Sequence, residues 1–451
     1  MNKMKIIADE AIPYLKGIFE NECEVEYYPG SEITPQRVKD ADALIVRTRT
    51  KCNAQLLEGS KVKVIASATI GTDHIDRAWC QSHNIALFNA PGCNSGGVLQ
   101  YFLTALFKCL STRELWQKFL NSAPDAGADA AAAGEDAAAA GAATADGAAG
   151  AAAGAAAGSV AGVDGTADGA ATAAGDSASE SAPFTVGVIG VGNVGSKVAA
   201  ACEGLGFEVL RNDPPKERQQ TLAYNSGYLR IVDFKDYYSL DYLLENSDVV
   251  TLHVPLDETT RGMADASFFA RMKPGAIFIN SSRGEVVDEA ALLANLHKLA
   301  AVVLDVWVGE PNINKELLQS AFIATPHIAG YSAEGKIKGT QMAVEAIRRY
   351  MRDNGLTAST AASSTHSVGA TPAATAPATT AGVTPAAAGT CTIPEEQPIP
   401  VDFRGKNIDE ISQMLERIFP IQELSDALKA NPHTFEEMRN NYNYRHELEI
   451  L

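Results

Sequence analysis

The sequence predicts an α/β protein made of two doubly wound parallel-sheet domains, and three observations carry that expectation. Short β-rich runs alternate with helical patterns over most of the chain, the runs fall into two series, and the second series opens as strand, glycine turn and helix.

The first series places strands at 4–8, 43–46, 62–66 and 85–88. These runs are rich in Ile, Val, Leu and Ala, as strands covered on both faces must be. Residues 98–110 are apolar nearly all round, which suits a helix buried between two domains. The second series starts at Phe184, with strands at 185–189, 207–210, 249–253, 276–280, 301–304 and 322–324. A helix over 339–351 follows and would return the chain to the first unit. The expected domains are therefore 1–97 with 326–353 around a nucleotide-binding unit of 98–121 with 184–325.

Two stretches fit neither domain. Residues 122–183 are dominated by Ala, Gly and Asp, and 354–393 by Thr, Ala, Ser and Pro. Glycine in a helix costs about 1 kcal/mol relative to alanine, and no apolar stripe offers packing to offset it, so disorder is expected in both. In the remaining segment, 394–451, Ile408, Ile411, Leu415 and Ile418 make one helical face, and Asn407 with Glu410 forms a capping-box pattern. A unit of about 55 residues is small for its own core and is expected to pack on the rest of the chain or on a second subunit.

The chain has 451 residues and a formal net charge of −18. That balance argues against nucleic acid or an anionic membrane as partner, since both require clustered Lys and Arg. No apolar run reaches the roughly 18 residues of a membrane span, and the start leads into charge rather than a signal core, so a cytoplasmic protein is expected. The 7 cysteines (23, 52, 80, 93, 109, 202 and 391) are scattered without a Cys-x-x-Cys pair, so neither a disulfide framework nor a metal site is expected.

Gly190-Val191-Gly192-Asn193-Val194-Gly195 follows the apolar strand at 185–189 and opens a helical run. Such glycines permit a tight turn, close approach of a pyrophosphate to the backbone, and packing of helix on strand. Asp213, after the next strand, is the acid expected to bind the ribose hydroxyls, which favours NAD over NADP; Arg211 beside it leaves that preference open. A phosphate-binding P-loop fails because Ser196-Lys197 stands where Lys-Ser or Lys-Thr is required.

Three later segments name a reaction: Asn280-Ser281-Ser282-Arg283-Gly284, Asp305-Val306-Trp307-Val308-Gly309-Glu310-Pro311, and Pro326-His327-Ile328-Ala329-Gly330-Tyr331. Each follows a predicted strand and so falls at the carboxyl edge of the sheet, where open α/β folds bind ligands. Oxidation of a hydroxy acid needs a cation for the carboxylate, a base for the hydroxyl proton and a partner for that base. Arg283, His327 and Glu310 have those chemistries. Taken singly, an arginine is usually a surface residue and a histidine usually structural; their common position after successive strands sets these apart. His74 and His253 are the competing bases, and His253 has no evident Arg or Glu partner.

With these residues in place, the chain resembles the D-isomer-specific 2-hydroxy acid dehydrogenases. Further segments resemble one branch whose substrate carries a phosphate: Asp9-Glu10-Ala11-Ile12-Pro13, Arg47-Thr48-Arg49-Thr50-Lys51, Thr69-Ile70-Gly71-Thr72-Asp73-His74, Ala90-Pro91-Gly92-Cys93-Asn94, Asp213-Pro214-Pro215 and Tyr331-Ser332-Ala333-Glu334-Gly335-Lys336. The resemblance implies a Rossmann NAD domain, a flavodoxin-like substrate domain and a small α+β C-terminal dimerisation domain, hence a homodimer. It implies Arg283 and Glu310 as active-site residues and His327 as proton donor or acceptor. Cofactor positions implied are Gly190, Gly192, Asn193, Val194, Gly195, Asp213, Val254, Ser281, Ser282, Arg283, Asp305 and Gly330. The substrate positions are Thr48, Thr69 and Tyr331, and Arg47 with Arg49 and Lys51 offers a second anion site on chemical grounds. Three departures stand out: Val254 replaces a common Thr, Gly96-Gly97-Val98-Leu99-Gln100 replaces a bulkier run ending in Glu, and the C-terminus is short. The alternatives are a relative acting on glycerate, 3-phosphoglycerate or hydroxypyruvate, and a non-enzymatic NAD-binding adaptor.

Overall fold

The computed structural model describes residues 3–112, 184–225, 235–356, 393 and 397–451. The expectation of disorder over 122–183, and over nearly all of 354–393, falls outside them.

Two parallel sheets form the frame. The first contains β1 (Lys5–Asp9), β2 (Glu24–Tyr28), β3 (Ala43–Val46), β4 (Val64–Ser67) and β5 (Ala86–Phe88) in the order β2-β1-β3-β4-β5, the flavodoxin-like arrangement. β3 and β4 are buried along their whole length, as their apolar sequences require. β2 was not foreseen. Its sequence, Glu-Val-Glu-Tyr-Tyr, belongs to a half-exposed edge strand and has no continuous apolar run.

The second sheet contains β6 (Thr185–Ile189), β7 (Glu208–Asn212), β8 (Val249–Leu252), β9 (Ile277–Asn280), β10 (Ala301–Leu304) and β11 (Ile323–Ala324) in the order β11-β10-β9-β8-β6-β7. The chain moves outward from β6 to β7 and then crosses to β8 on the other side of β6, so the topological switch point lies between β6 and β8. Register aligns the carboxyl ends: Leu252 pairs with both Ile189 and Asn280, and Leu304 with both Asn280 and Ala324.

Two helices cross between the sheets. The first, Ser95–Leu110, buries Tyr101, Phe102, Leu103 and Leu106 completely. Each such side chain stabilises by about 1.5–3 kcal/mol relative to exposure. The second, Ala333–Asp353, starts six residues before the expected 339, because the Ser332 hydroxyl accepts a hydrogen bond from Gly335 N and caps it there. Its residues Ala343, Val344, Ile347 and Met351 pack with Ile6, Ala8 and Ile45 in the core of the first sheet.

The C-terminal segment folds against the same chain. β12 (Ile399–Val401) pairs in parallel with β13 (Leu448–Ile450), and helices Ile408–Ile418, Ile421–Ala430 and Phe435–Asn440 lie between them. The capping box forms, with Asn407 and Glu410 each accepting from the other's backbone N–H. Ile411, Leu415, Phe419 and Ile421 join the core built around the first connecting helix, whereas Leu428 and Phe435 join the opposite layer beside Leu317. Among the described residues no helix is long and apolar enough to cross a membrane.

Candidate active site

The glycine turn lies at the switch point. Gly190 ends β6 with φ +83°, and a Cβ there would lie 2.6 Å from His253 O. A Cβ at Gly195 would come within 1.9 Å of Gly190 O, whereas the space around Gly192 is open. Thus the first and third glycines let helix, strand and turn touch, and the second leaves room for an anion over the backbone. Asn193 packs against Gly92, and Val194 precedes the helix Gly195–Gly204, whose first N–H groups have no side-chain cap. Val254 packs on Gly190.

Asp213 follows β7, where its Oδ2 accepts from Val191 N at 2.8 Å and its Oδ1 from Lys216 N at 3.0 Å. Arg211 does not compete for a 2′-phosphate: its guanidinium is buried and pairs with Glu203. Ser281, after β9, has a buried hydroxyl without a hydrogen-bond partner. An open glycine turn, a carboxylate bonded to that turn, and an orphaned hydroxyl at the same sheet edge fit a dinucleotide without a 2′-phosphate.

Glu310 and His327 meet beyond adjacent strands. His327 Nδ1 lies 2.8 Å from Glu310 Oε2, and Glu310 Oε1 accepts from Trp307 N at 3.0 Å. Burial alone would raise the Glu310 pKa. The charge and hydrogen bond of His327, together with Arg439 and the Trp307 N–H, outweigh burial and hold it below the usual carboxylate value. His327 adopts φ +58°, unusual for a residue other than glycine, and the turn around it is over-determined. Its N–H bonds to Asp305 O at 2.7 Å, and the Asp305 carboxylate accepts from Ile328 N, Ala329 N and the Thr325 hydroxyl.

Arg283 follows β9 at the same edge. Its Nε and Nη2 both reach Asp73 Oδ2 at 2.9 Å, and its Nη1 donates to Ser282 O at 2.7 Å. Gly284 explains how close this loop comes to the next, since a Cβ there would lie 2.0 Å from the carbonyl carbon of Trp307, the residue whose N–H holds Glu310. Ser282 turns inward, its N–H and hydroxyl both donating to Asn280 Oδ1. The rival histidines are buried: burial pushes His253 down to about 3 and His74 to about 4. Neither is poised for proton transfer near neutrality.

Comparison with known proteins gives this geometry its family. Residues 164–329 match the model described as D-isomer specific 2-hydroxyacid dehydrogenase, NAD binding domain. An erythronate-4-phosphate dehydrogenase of Bacteroides fragilis is 39% identical over 356 residues, covering 77% of this chain and 80% of that protein. One from Escherichia coli is 35% identical over 354 residues, covering 77% and 74%. The chain belongs to the D-isomer specific 2-hydroxyacid dehydrogenases, in their erythronate-4-phosphate dehydrogenase branch. The fold agrees. The NAD-bound 3-phosphoglycerate dehydrogenase of Entamoeba histolytica superposes with TM-score 0.53 at 23% identity, covering 78% of this chain and 96% of the other. The D-lactate dehydrogenase of Aquifex aeolicus, complexed with NAD and lactic acid, has TM-score 0.53 at 22% identity, with the same coverage. The protein is thus an NAD-dependent oxidoreductase.

The dehydrogenase places its expected substrate residues unevenly. Tyr331 is central: Arg439 Nε lies 3.3 Å from its hydroxyl, and Lys336 Nζ lies 3.8 Å from its ring centroid. Arg47 pairs with Asp9 at 3.2 Å and adjoins Tyr444. Thr69 bonds to Ser67 and to Gly71 O, while Thr48 is exposed. The basic run Arg47, Arg49 and Lys51 does not stay together. The strand ends at Val46, so side chains beyond it do not alternate: Arg49 turns to Glu436 and Asn440, Thr50 is buried on Gly30 O, and Lys51 is exposed. Lys336 and Arg439 lie close enough to act on each other, and Arg47 acts on Lys336 as well. Lys336 stands between the rings of Tyr331 and Tyr444; burial, then Arg47 and Arg439, push its pKa down to about 7. Gly330 packs on Asn94.

Sequence reasoning gave no role to Asp73, Lys336 or Arg439, although the first two lie in quoted segments. Lys336 sits one turn into a helix capped by Ser332, which directs it toward Tyr331. Nothing local signals that Arg439 reaches Glu310, 129 positions away.

Proposed function

We propose that the dehydrogenase oxidises 4-phospho-D-erythronate to (R)-3-hydroxy-2-oxo-4-phosphooxybutanoate, a step toward pyridoxal 5′-phosphate. The observation that carries this reading is a pair of cationic groups: Arg283, held by Asp73, and the set of Arg47, Lys336 and Arg439 gathered about Tyr331 and Tyr444. A hydroxy acid with a carboxylate at one end and a phosphate at the other matches two such sites; a plain hydroxy acid would leave the second unused. The names of the relatives support the same substrate.

In this reading Arg283 binds the carboxylate. Asp73 takes the Nε–Nη2 edge of the guanidinium and Ser282 O one N–H of Nη1, leaving one N–H each on Nη1 and Nη2 for a bidentate pair. Glu310 keeps the ring proton of His327 on Nδ1, so Nε2 is the acceptor for the substrate hydroxyl proton. The imidazolium that results is stabilised by the same carboxylate. NAD, when bound, supplies the hydride acceptor; the glycine turn and Asp213 would hold it.

The protein is further read as a cytoplasmic homodimer with a small phosphorylated acid as its substrate. Ile450 and Leu451 at the exposed end of β13 offer apolar surface for a second copy. Light scattering on the purified protein tests the dimer. The substrate is tested by comparing kcat/KM for 4-phosphoerythronate, 3-phosphoglycerate and glycerate. A clear preference for the first is expected, and equal values for glycerate would defeat the assignment.

A further inference from the structure

Arg445 and Glu447 lie where both crossings between the two sheets begin. The first crossing is the helix Ser95–Leu110, and the second is the turn 328–331 leading into the helix that Ser332 caps. Arg445 bonds to both. Its Nη2 donates to Gly97 O at 2.8 Å and Ala329 O at 2.5 Å, its Nη1 to Ile328 O at 3.1 Å and Tyr331 O at 3.0 Å, and its Nε to Gln100 Oε1 at 3.1 Å. Glu447 repeats the pattern, accepting from Gly97 N at 3.2 Å and the Ser332 hydroxyl at 2.8 Å. Both side chains are buried.

This geometry accounts for the unusual Gly96-Gly97 pair. A Cβ at Gly96 would lie 2.0 Å from Glu447 Oε2, so a side chain at this position would push the Glu447 carboxylate out of its place. The Arg445 charge is carried by neutral groups: four carbonyls, Gln100, the Tyr442 hydroxyl at 3.1 Å and the Phe419 ring at 4.2 Å. No carboxylate pairs with it among the described residues. Burying a guanidinium among neutral acceptors is unfavourable for packing alone. Its effect is to fix one turn: Asp305 holds the N–H groups of Ile328 and Ala329, Arg445 holds their carbonyls, and His327 immediately precedes them.

We propose that Arg445 is a positioning residue for the dehydrogenase reaction, clamping the His327 turn to the first connecting helix, with Glu447 closing the same clamp. The C-terminal segment then acts on the active site of its own chain. The proposal rests on His327 being the base.

The test uses full-length Arg445→Lys, which keeps the charge but cannot span these carbonyls, with His327→Ala alongside. With the best substrate of the panel, Arg445→Lys is expected to lose at least about tenfold in kcat, as displacement of a catalytic group does. The dissociation constant for NADH should stay within about twofold and the KM for the acid within about threefold. A kcat within about twofold of wild type, or a loss of NADH binding as large as the loss of rate, would overturn the clamp. If Arg445→Lys does not fold, Gly96→Ala decides by the same criteria, since its Cβ displaces Glu447 and leaves Arg445 intact. An inactive His327→Ala beside a fully active Arg445→Lys defeats only the clamp, whereas a fully active His327→Ala defeats the base.

Discussion

Arg283, in the loop after β9 of the six-stranded sheet, and Asp73, in the loop after β4 of the five-stranded sheet, form an ion pair across the two domains, with Nε and Nη2 both 2.9 Å from Oδ2. Asp73 is half exposed, so the pair adds little to stability. Its consequence is orientation, because the Nε–Nη2 edge of the guanidinium is fixed while one N–H each on Nη1 and Nη2 has no acceptor among the described residues.

Removing the guanidinium should therefore act on the acid and spare the cofactor. Arg283→Ala is expected to raise the KM for the hydroxy acid by roughly a hundredfold, the loss of a bidentate charged pair. Asp73→Asn should raise it only several-fold, near 1 kcal/mol, with kcat close to wild type. Steady-state kinetics at saturating NAD distinguishes the two; a normal KM in Arg283→Ala removes the residue from carboxylate binding.

The Glu310–His327 pair makes the opposite prediction, on rate. His327→Ala should lower kcat at least about a hundredfold and leave NADH binding nearly unchanged, because only the proton acceptor is lost. Glu310→Gln keeps a hydrogen bond to Nδ1 but withdraws the charge that stabilises the imidazolium, so a loss of about 10–100-fold is expected. NADH fluorescence titration beside turnover checks both, and wild-type turnover in either variant would refute its assigned role.

These two sets of residues differ in how far the sequence announces them. Arg283, Glu310 and His327 each follow a strand of a parallel sheet, and parallel register carries strand ends to one edge, so sequence position implies spatial position. Arg439 and Arg445 have no such rule behind them. They reach the site because apolar residues such as Leu415, Phe419 and Phe435 dock the C-terminal segment on the rest of the chain, and that docking is a tertiary fact. The edge strand β2 escaped for a related reason, since Glu-Val-Glu-Tyr-Tyr satisfies its backbone by pairing with β1 without an apolar signature. The early start of the second connecting helix was legible in principle: Ser332 is a good N-cap, and the apolar periodicity that set 339 begins only after the capped turn.

In the proposed reading, cofactor choice turns on Asp213. Because its Oδ2 also holds Val191 N, Asp213→Ala should disturb the glycine turn and weaken NAD at least about tenfold. Asp213→Asn keeps an acceptor for Val191 but loses the repulsion of a 2′-phosphate, so the preference for NAD over NADP should shrink while NAD affinity changes less. Initial rates with both cofactors decide this; an unchanged NAD preference in Asp213→Asn would mean that discrimination lies elsewhere.

The last prediction concerns pH and follows from Lys336. Burial first and then Arg47 hold its pKa near 7, Cys93 pulls the value the other way, and Arg439 adds a smaller downward push; Tyr331 and Tyr444 flank it. A lysine is charged below its pKa, so the amine is a cation in mildly acid solution and progressively neutral above about 7. A phosphate monoester is already mostly dianionic there, its second pKa being about 6. The attraction is therefore lost from the protein side as pH rises, and the KM for a phosphorylated substrate should climb several-fold between about pH 7 and 9. A bound dianion favours the charged amine, so substrate binding should take up protons over the same range. In Lys336→Met the KM should be raised at pH 7 already and vary much less above it. Calorimetry in buffers of different ionisation enthalpy measures the proton uptake directly, and equal uptake in wild type and Lys336→Met would show that another group titrates.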